Sequence, residues 1–255
     1  MWARIGLKTR AKNVLRTNYW TSFLVGLVIL FAVGGAASLN WRTSYNEINN
    51  NGGIYFNMNP VAIIPIVLIA LTAAMIAILF ALAIKILLAY PLEVGGRKYF
   101  VQSAQYIDNR GCFRFAFNSA NYGHIIGAMF LRGLFTFLWS LLFIIPGIIK
   151  FYSYRMVPYI LADNPNIGAS RAIKLSRDMT YGHKWNIFVL DLSFIGWYIL
   201  GAICLGIGTL FVNPYAYATD AELYLVLRQN AIERNLCTCE ELLLHDAGIE
   251  NGENF

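Results

Sequence analysis

The sequence predicts an all-α protein, a polytopic transmembrane helix bundle of about six spans with amphipathic cytoplasmic helices. Three observations predict it. Residues 61–84 form an apolar run, VAIIPIVLIALTAAMIAILFALAI, that holds no charge, no Asn and no Gln. As a helix rising about 1.5 Å per residue, the run is about 36 Å long, enough to cross a hydrocarbon core of about 30 Å with some tilt. Only 13% of the 255 residues are charged and 58% are hydrophobic, whereas a soluble domain carries about 25% charged residues. The cations, finally, collect in alternate connecting segments, as they do in multi-pass proteins. The length suits one bundle, read as a basic amphipathic helix over residues 1–19, an integral membrane domain over 20–235 and an acidic cytoplasmic tail over 236–255.

In the N-terminal helix Leu7, Ala11, Val14 and Leu15 share one face, while Arg4, Lys8, Lys12 and Arg16 recur at intervals of four. Such a helix can lie in the headgroup layer with its cations toward anionic lipid, or serve only as a cytoplasmic anchor. The first span, 20–39, opens at the interfacial pair Tyr19-Trp20. A secretory signal is the competing reading, since Gly35, Ala36 and Ala37 resemble a cleavage site. The apolar stretch is longer than a signal core. Residues 40–60 form a polar loop whose cation is Arg42.

The second span, 61–89, ends near Lys85, which is placed to snorkel. Residues 90–121 are a mixed connector: Pro91 opens a short helix with Glu93, Arg97 and Lys98, and Asn109-Arg110-Gly111 is a turn signal. The third span, 122–145, is interrupted by Arg132 and broken by Pro146-Gly147. A fourth, 148–162, carries Lys150 and Arg155. Asn164 suits the N-cap and Pro165 the first position of a helix over 166–181, with Gly182 as its stop. Arg171, Lys174 and Arg177 lie on one side of that helix; Ala169, Ala172, Ile173 and Met179 lie on the other. The fifth span, 184–211, contains Asp191 and glycines 196, 201, 206 and 208; Asn213-Pro214-Tyr215 breaks it. The sixth, 216–227, contains Asp220 and Glu222, and Thr238-x-x-Glu241 suits the cap of one short helix in the tail.

With six spans and both ends inside, the outside keeps Arg42 as its cation. A four-span arrangement exports Arg171, Lys174, Arg177 and Lys184, against the cation bias. Segments 148–162 and 216–227 are short and polar enough to be re-entrant or tilted.

Six charges fall within these spans: Arg132, Lys150, Arg155, Asp191, Asp220 and Glu222. Each costs about 2.5–3.5 kcal/mol at a bilayer centre on insertion scales. Two readings stand for them. They pair to lock helix packing, or they line a polar cavity that binds an ion, a proton or a headgroup. Arg4, Lys8, Lys12, Arg16, Arg171, Lys174 and Arg177 are the lipid-headgroup candidates.

Other chemistry is thin. His124, His183 and His245 lack ligand spacing. Cys112, Cys204, Cys237 and Cys239 read as free thiols in a reducing cytoplasm, because Cys237-x-Cys239 with His245 falls short of four metal ligands. Asp163 reads as a turn residue. There is no nucleophile elbow, phosphate loop or HExxH helix, so neither an enzyme, a cofactor nor a metal site is expected. The net charge of +6 follows the loops and is not a nucleic-acid footprint.

The order FIIPGIIKFYSYRMVPYILADNP, AIKLS, GHKW, LDLSFIGW, GIG and NPY, with PLEVGGRKYF upstream, resembles the domain-of-unknown-function 975 family. The resemblance implies an integral membrane protein of the cell membrane of Gram-positive bacteria or relatives, and brings no established activity. The leading expectation is a non-enzymatic envelope accessory or scaffold that engages anionic lipid or a membrane protein partner. The alternative is a transporter or channel-like component for a small solute or lipid.

Overall fold

The protein is seen here as a computed structural model that describes residues 4–33, 60–203 and 207–244. Most of the polar loop with Arg42, Cys204, Gly206 and the tail from His245 lie outside the described residues. Among the described residues there are helices and turns and no strand. In order they are α1 (Arg4–Val33), α2 (Pro60–Ile84), a π-helical turn (Lys85–Ala89), α3 (Tyr90–Ala104), α4 (Cys112–Ala116), α5 (Ser119–Leu142), α6 (Ile144–Ser153), α7 (Val157–Asp163), α8 (Ala169–Met179), α9 (Lys184–Ile203) and α10 (Ile207–Glu233). Three helical stretches among them are long and apolar enough to cross a membrane: Val67–Ala104, Ser119–Leu142 and Lys184–Ile203.

The segment read as a mixed connector is the centre of the bundle. Helix α3 packs on α1, α4, α5, α7 and α10, and Glu93, Val94, Tyr99 and Phe100 on it are buried. Two adjacent glycines make this possible. A Cβ at Gly96 would lie 2.4 Å from Ile29 Cγ1, and one at Gly95 would lie 3.1 Å from the Cys112 carbonyl. Small residues thus let α1 and α4 approach α3 from two sides, where close packing holds apolar helices together. Pro91 sits where the π-helical turn runs into α3, and the Leu87 carbonyl four residues before it accepts instead from the Tyr122 hydroxyl at 2.8 Å.

Helix α1 does not end near Tyr19; it runs unbroken through the predicted boundary. Leu7, Ala11, Val14, Leu15, Ser22, Val25 and Ile29 are buried along it, at intervals of three to four that keep one stripe inward. That stripe packs on α10 and α3. The apolar face expected to meet the headgroup layer is therefore inside the bundle. Helix α2 is the opposite case, with Val67, Leu71, Met75, Ile78 and Leu82 all exposed. A helix apolar on all sides and exposed along its length is of the kind that crosses a membrane.

Three predicted breaks move. The chain reverses at Phe143, in extended conformation with φ −155° and ψ 142°, not at Pro146-Gly147. Pro146 lies in the first turn of α6, where a proline costs no helical bond. Gly147 serves packing: a Cβ there would lie 2.7 Å from Ser140 Cα, so α6 folds tightly back on α5. Second, segment 148–162 is not one span. It divides at Tyr154–Met156 into α6, with exposed Ile148, Ile149 and Phe151, and α7, whose Val157–Ala162 are buried. Helix α8 satisfies the turn between them: Ser176 Oγ donates to the Ser153 carbonyl (2.8 Å) and accepts from the Met156 N–H (3.2 Å).

Third, Pro214 does not end a span but lies inside α10. It faces Gly26 of α1, whose Cβ would meet it at 3.3 Å, and this packing offsets the lost backbone bond. The reversal comes earlier, between α9 and α10, where Gly201 and Gly208 bring backbones so close that a Cβ at Gly208 would lie 2.6 Å from Gly201 Cα. Helix α8 also starts later than expected, at Ala169, because Gly168 precedes it with φ +85°. Asn164 caps only a turn, accepting from the Asn166 N–H at 2.9 Å.

Candidate functional site

A chain of alternating charges runs through the bundle. On α5, Arg132 Nη1 lies 3.4 Å from Glu93 Oε1 of α3. Glu93 lies 3.9 Å from Arg97 one turn on, and Arg97 reaches Asp220 of α10 at 4.0 Å. Asp220 accepts from Arg155 Nη2 at 2.7 Å. Arg155, on the α6–α7 turn, also grips both carboxylate oxygens of Asp191 on α9. Tyr152 completes the chain, donating its hydroxyl to Asp191 Oδ2 at 3.0 Å. Three guanidinium groups and three carboxylates thus tie together α5, α3, α10, the α6–α7 turn and α9. Arg155 bonds with a forked, charge-assisted geometry that lysine cannot reproduce.

Arg97 is held less by acids than by aromatics. Its Nη1 donates to the Tyr159 hydroxyl at 3.1 Å, and its guanidinium lies 4.6 Å from the Tyr217 ring centre and 5.2 Å from that of Tyr159. Its Nε is buried without a partner. A second pair flanks the chain: Arg10 Nε lies 3.1 Å from Glu222 Oε2, although that N–H is not aligned for a hydrogen bond. A third cluster lies where α7 meets α10. Asp163 Oδ2 accepts from Arg228 Nη1 (2.9 Å) and from the Tyr224 hydroxyl (2.6 Å). Tyr224 in turn stacks on Tyr159, centroids 5.2 Å apart.

Of the six intramembrane candidates, Arg155, Asp191 and Asp220 come together, Arg132 joins the same chain through Glu93, and Glu222 pairs with Arg10. Lys150 stands apart, its Nζ 4.6 Å from the Trp139 ring centre. Sequence reasoning did not single out Glu93 and Arg97, read as part of the mixed connector, or Arg10 of the basic N-terminal helix. The signal for the first two was present: an acid and a base four apart, on the spacing that forms a helical pair, in a segment otherwise of Val, Gly and aromatics.

The headgroup candidates divide. Arg4, Lys12, Arg16, Lys174 and Arg177 are exposed. Lys8 donates to Ser193 Oγ at 2.7 Å. Arg171 is engaged by the tail: its Nε and Nη2 hold the Glu241 carboxylate, and Nη2 also donates to the Leu236 carbonyl at 2.8 Å. Thr238 Oγ1 accepts from the Glu241 N–H at 3.1 Å, fixing that carboxylate in place. The hydrogen bonds from Arg171 hold Glu241 below the usual glutamate range. The sign follows: this clamp is fully present above an ordinary glutamate pKa of about 4.3 and is lost as pH falls through the lowered value. Both partners are partly exposed, so the contribution is small. Protection of amides 236–244, taken relative to their intrinsic exchange rate at each pH, is expected to fall below about pH 4 and to be already low at neutral pH in Glu241→Gln; protection that does not change with pH would reject the clamp.

Burial pushes the Cys112 and Cys237 thiols up to about 11, so both carry their protons at neutral pH rather than offering thiolate to a metal. Among the described residues no three His, Cys, Asp or Glu side chains gather as a metal site.

Fold and charge network together define the class: an all-helical protein with apolar helices fit to cross a membrane and its buried charges paired. Residues 103–231 match the family described as "Protein of unknown function (DUF975)", and the chain belongs to that family. No curated protein and no solved structure matches it.

Proposed function

We propose that the chain is a multi-pass protein of the cell membrane, crossing about six times with both termini cytoplasmic, that acts as a non-enzymatic accessory or scaffold on anionic lipid or a partner complex. One observation carries this reading: the buried charges pair with one another, while Arg4, Lys12, Arg16 and Lys174 stay exposed. A closed ladder of ion pairs is suited to fixing helices in register. It offers no free acid, base and nucleophile to a substrate, and it supports locking over transport. The α6–α7 pair counts as one broken crossing. Each exposed cation near an anionic surface adds about 1 kcal/mol of attraction.

The test is lipid selectivity of the full chain in nanodiscs of mixed phosphatidylcholine and phosphatidylglycerol, read with spin-labelled lipids. Selectivity for phosphatidylglycerol that weakens with salt is expected, and it should fall in the Arg4→Gln, Lys12→Gln, Arg16→Gln, Lys174→Gln variant. Equal association of the two lipids would discard the reading.

A further inference from the structure

Helices α5 and α8 and the α6–α7 turn enclose a cleft of about 270 Å³ lined by Phe135, Tyr154, Ser170, Ile173, Lys174 and Arg177. It is just below the range of about 300–1,000 Å³ that holds a drug-sized solute, and is suited to a headgroup. Lys150 approaches the same place, its Nζ 5.9 Å from the Tyr154 ring centre and closer to Trp139. Lys174 and Arg177 line the cleft, and Lys150 stands beside it, so three cations gather around one small cleft.

Their environment differs from that of the buried arginines. Arg155, Arg132 and Arg228 each face a carboxylate on another helix. Around the cleft the nearby acid is Asp178, 3.3 Å from Arg177 Nε. Among the described residues no carboxylate pairs with Lys150 or Lys174. Like charges brought together repel, and an anion of two or more oxygens would relieve that repulsion by accepting from several of them. Phe135 of the cleft wall is itself exposed, and exposed apolar side chains run along both arms of the α5–α6 hairpin, including Phe137, Leu138, Ile148 and Ile149. Trp139 and Tyr154 are residue types that favour the boundary between headgroups and hydrocarbon. A ligand that satisfies both halves is amphiphilic, with an anionic head and apolar chains.

We propose that this cleft binds one anionic phospholipid, its phosphate held by Lys150, Lys174 and Arg177 and its acyl chains laid along the outer surface of α5 and α6. The assignment rests on the lipid-contact reading above and makes one part of it specific. The lipid is a fixed constituent, bound one per chain.

Native mass spectrometry of the full chain in neutral detergent tests it, with titrated phosphatidylglycerol, phosphatidylcholine and inorganic phosphate. One phosphatidylglycerol is expected to stay bound at concentrations where phosphatidylcholine does not. Lys150→Gln and Lys174→Gln should weaken it at least tenfold each, while Lys150→Arg keeps it and a change at the exposed Arg110, Arg110→Gln, leaves it unchanged. Lys174 is exposed, so its variant retains the fold and remains informative if Lys150→Gln does not. Equal retention of both lipids, or unchanged retention in Lys174→Gln, would overturn the proposal. Displacement of the lipid by millimolar inorganic phosphate would also overturn it, in favour of a free-anion site. If nanodisc selectivity persists while the bound lipid is absent, this inference fails alone; loss of both removes the broader reading too.

Discussion

Replacing Arg155 with Met is expected to destabilise the protein by about 3–5 kcal/mol, the cost of breaking a buried ion pair by removing one partner. Arg155 donates hydrogen bonds to two acids on two different helices, Asp191 on α9 and Asp220 on α10. Without it Asp220, whose side chain is only 12% exposed, keeps no cation nearer than Arg97 at 4.0 Å. An uncompensated carboxylate in a low-dielectric interior either remains charged at high cost or takes up a proton. The measurement is the denaturing-detergent fraction that unfolds the purified chain. The same cycle separates locking from chemistry. The triple variant Arg155→Met, Asp191→Asn, Asp220→Asn removes the charges together and should recover most of the loss, because a neutral, well-packed replacement of an ion triad is often no less stable. A triple variant as unstable as the single one would show that the network holds the helices by something other than charge balance.

That network shows how far the sequence could be read. The helical class was legible because the apolar run over 61–84 leaves no polar face for a soluble core. The equal number of acids and bases within the spans pointed to pairing, and Arg155, Asp191 and Asp220 do meet. Partners were not legible, since Arg155 and Asp220 are 65 residues apart and periodicity carries no information on which helices touch. Glu93 and Arg97 were hidden for a different reason. Helix α3 is polar enough to read as a connector between spans, yet Gly95 and Gly96 let its neighbours close around it and bury those charges.

Helix ends failed wherever tertiary contact overrode local preference. Proline at 214 is a helix breaker by propensity, but the Gly26 surface of α1 accepts its ring and α10 continues. The reversal at Phe143 has no breaker in its own sequence. It follows from Gly147, four residues past the place where the chain turns, packing on Ser140. Arg171 was legible as part of a basic helical face. Its capture by Glu241, 70 residues on, depends on where the tail returns.

Asp163 gives the second large effect and the clearest contrast with its sequence reading as a turn residue. It is the last residue of α7, so its position does follow from the Asp-Asn-Pro turn that stops the helix. Its side chain, however, points into the bundle and holds Arg228 and Tyr224 of α10. The carboxyl and guanidinium are each 11% exposed, and no other carboxylate among the described residues pairs with Arg228. Asp163→Ala therefore strands a buried guanidinium and a buried phenol at once, with an expected loss of about 3–5 kcal/mol. Asp163→Asn keeps an acceptor for both donors and removes only the charge, so it should lose less, nearer the about 1.5–3 kcal/mol of a hydrogen bond to a charged group. Adding Arg228→Met to Asp163→Ala should return part of the loss, since nothing charged is then left unpaired. The same unfolding titration reads all three. If Asp163→Ala unfolds no more easily than the parent chain, the side chain is only the turn residue that its neighbours Asn164 and Pro165 suggest.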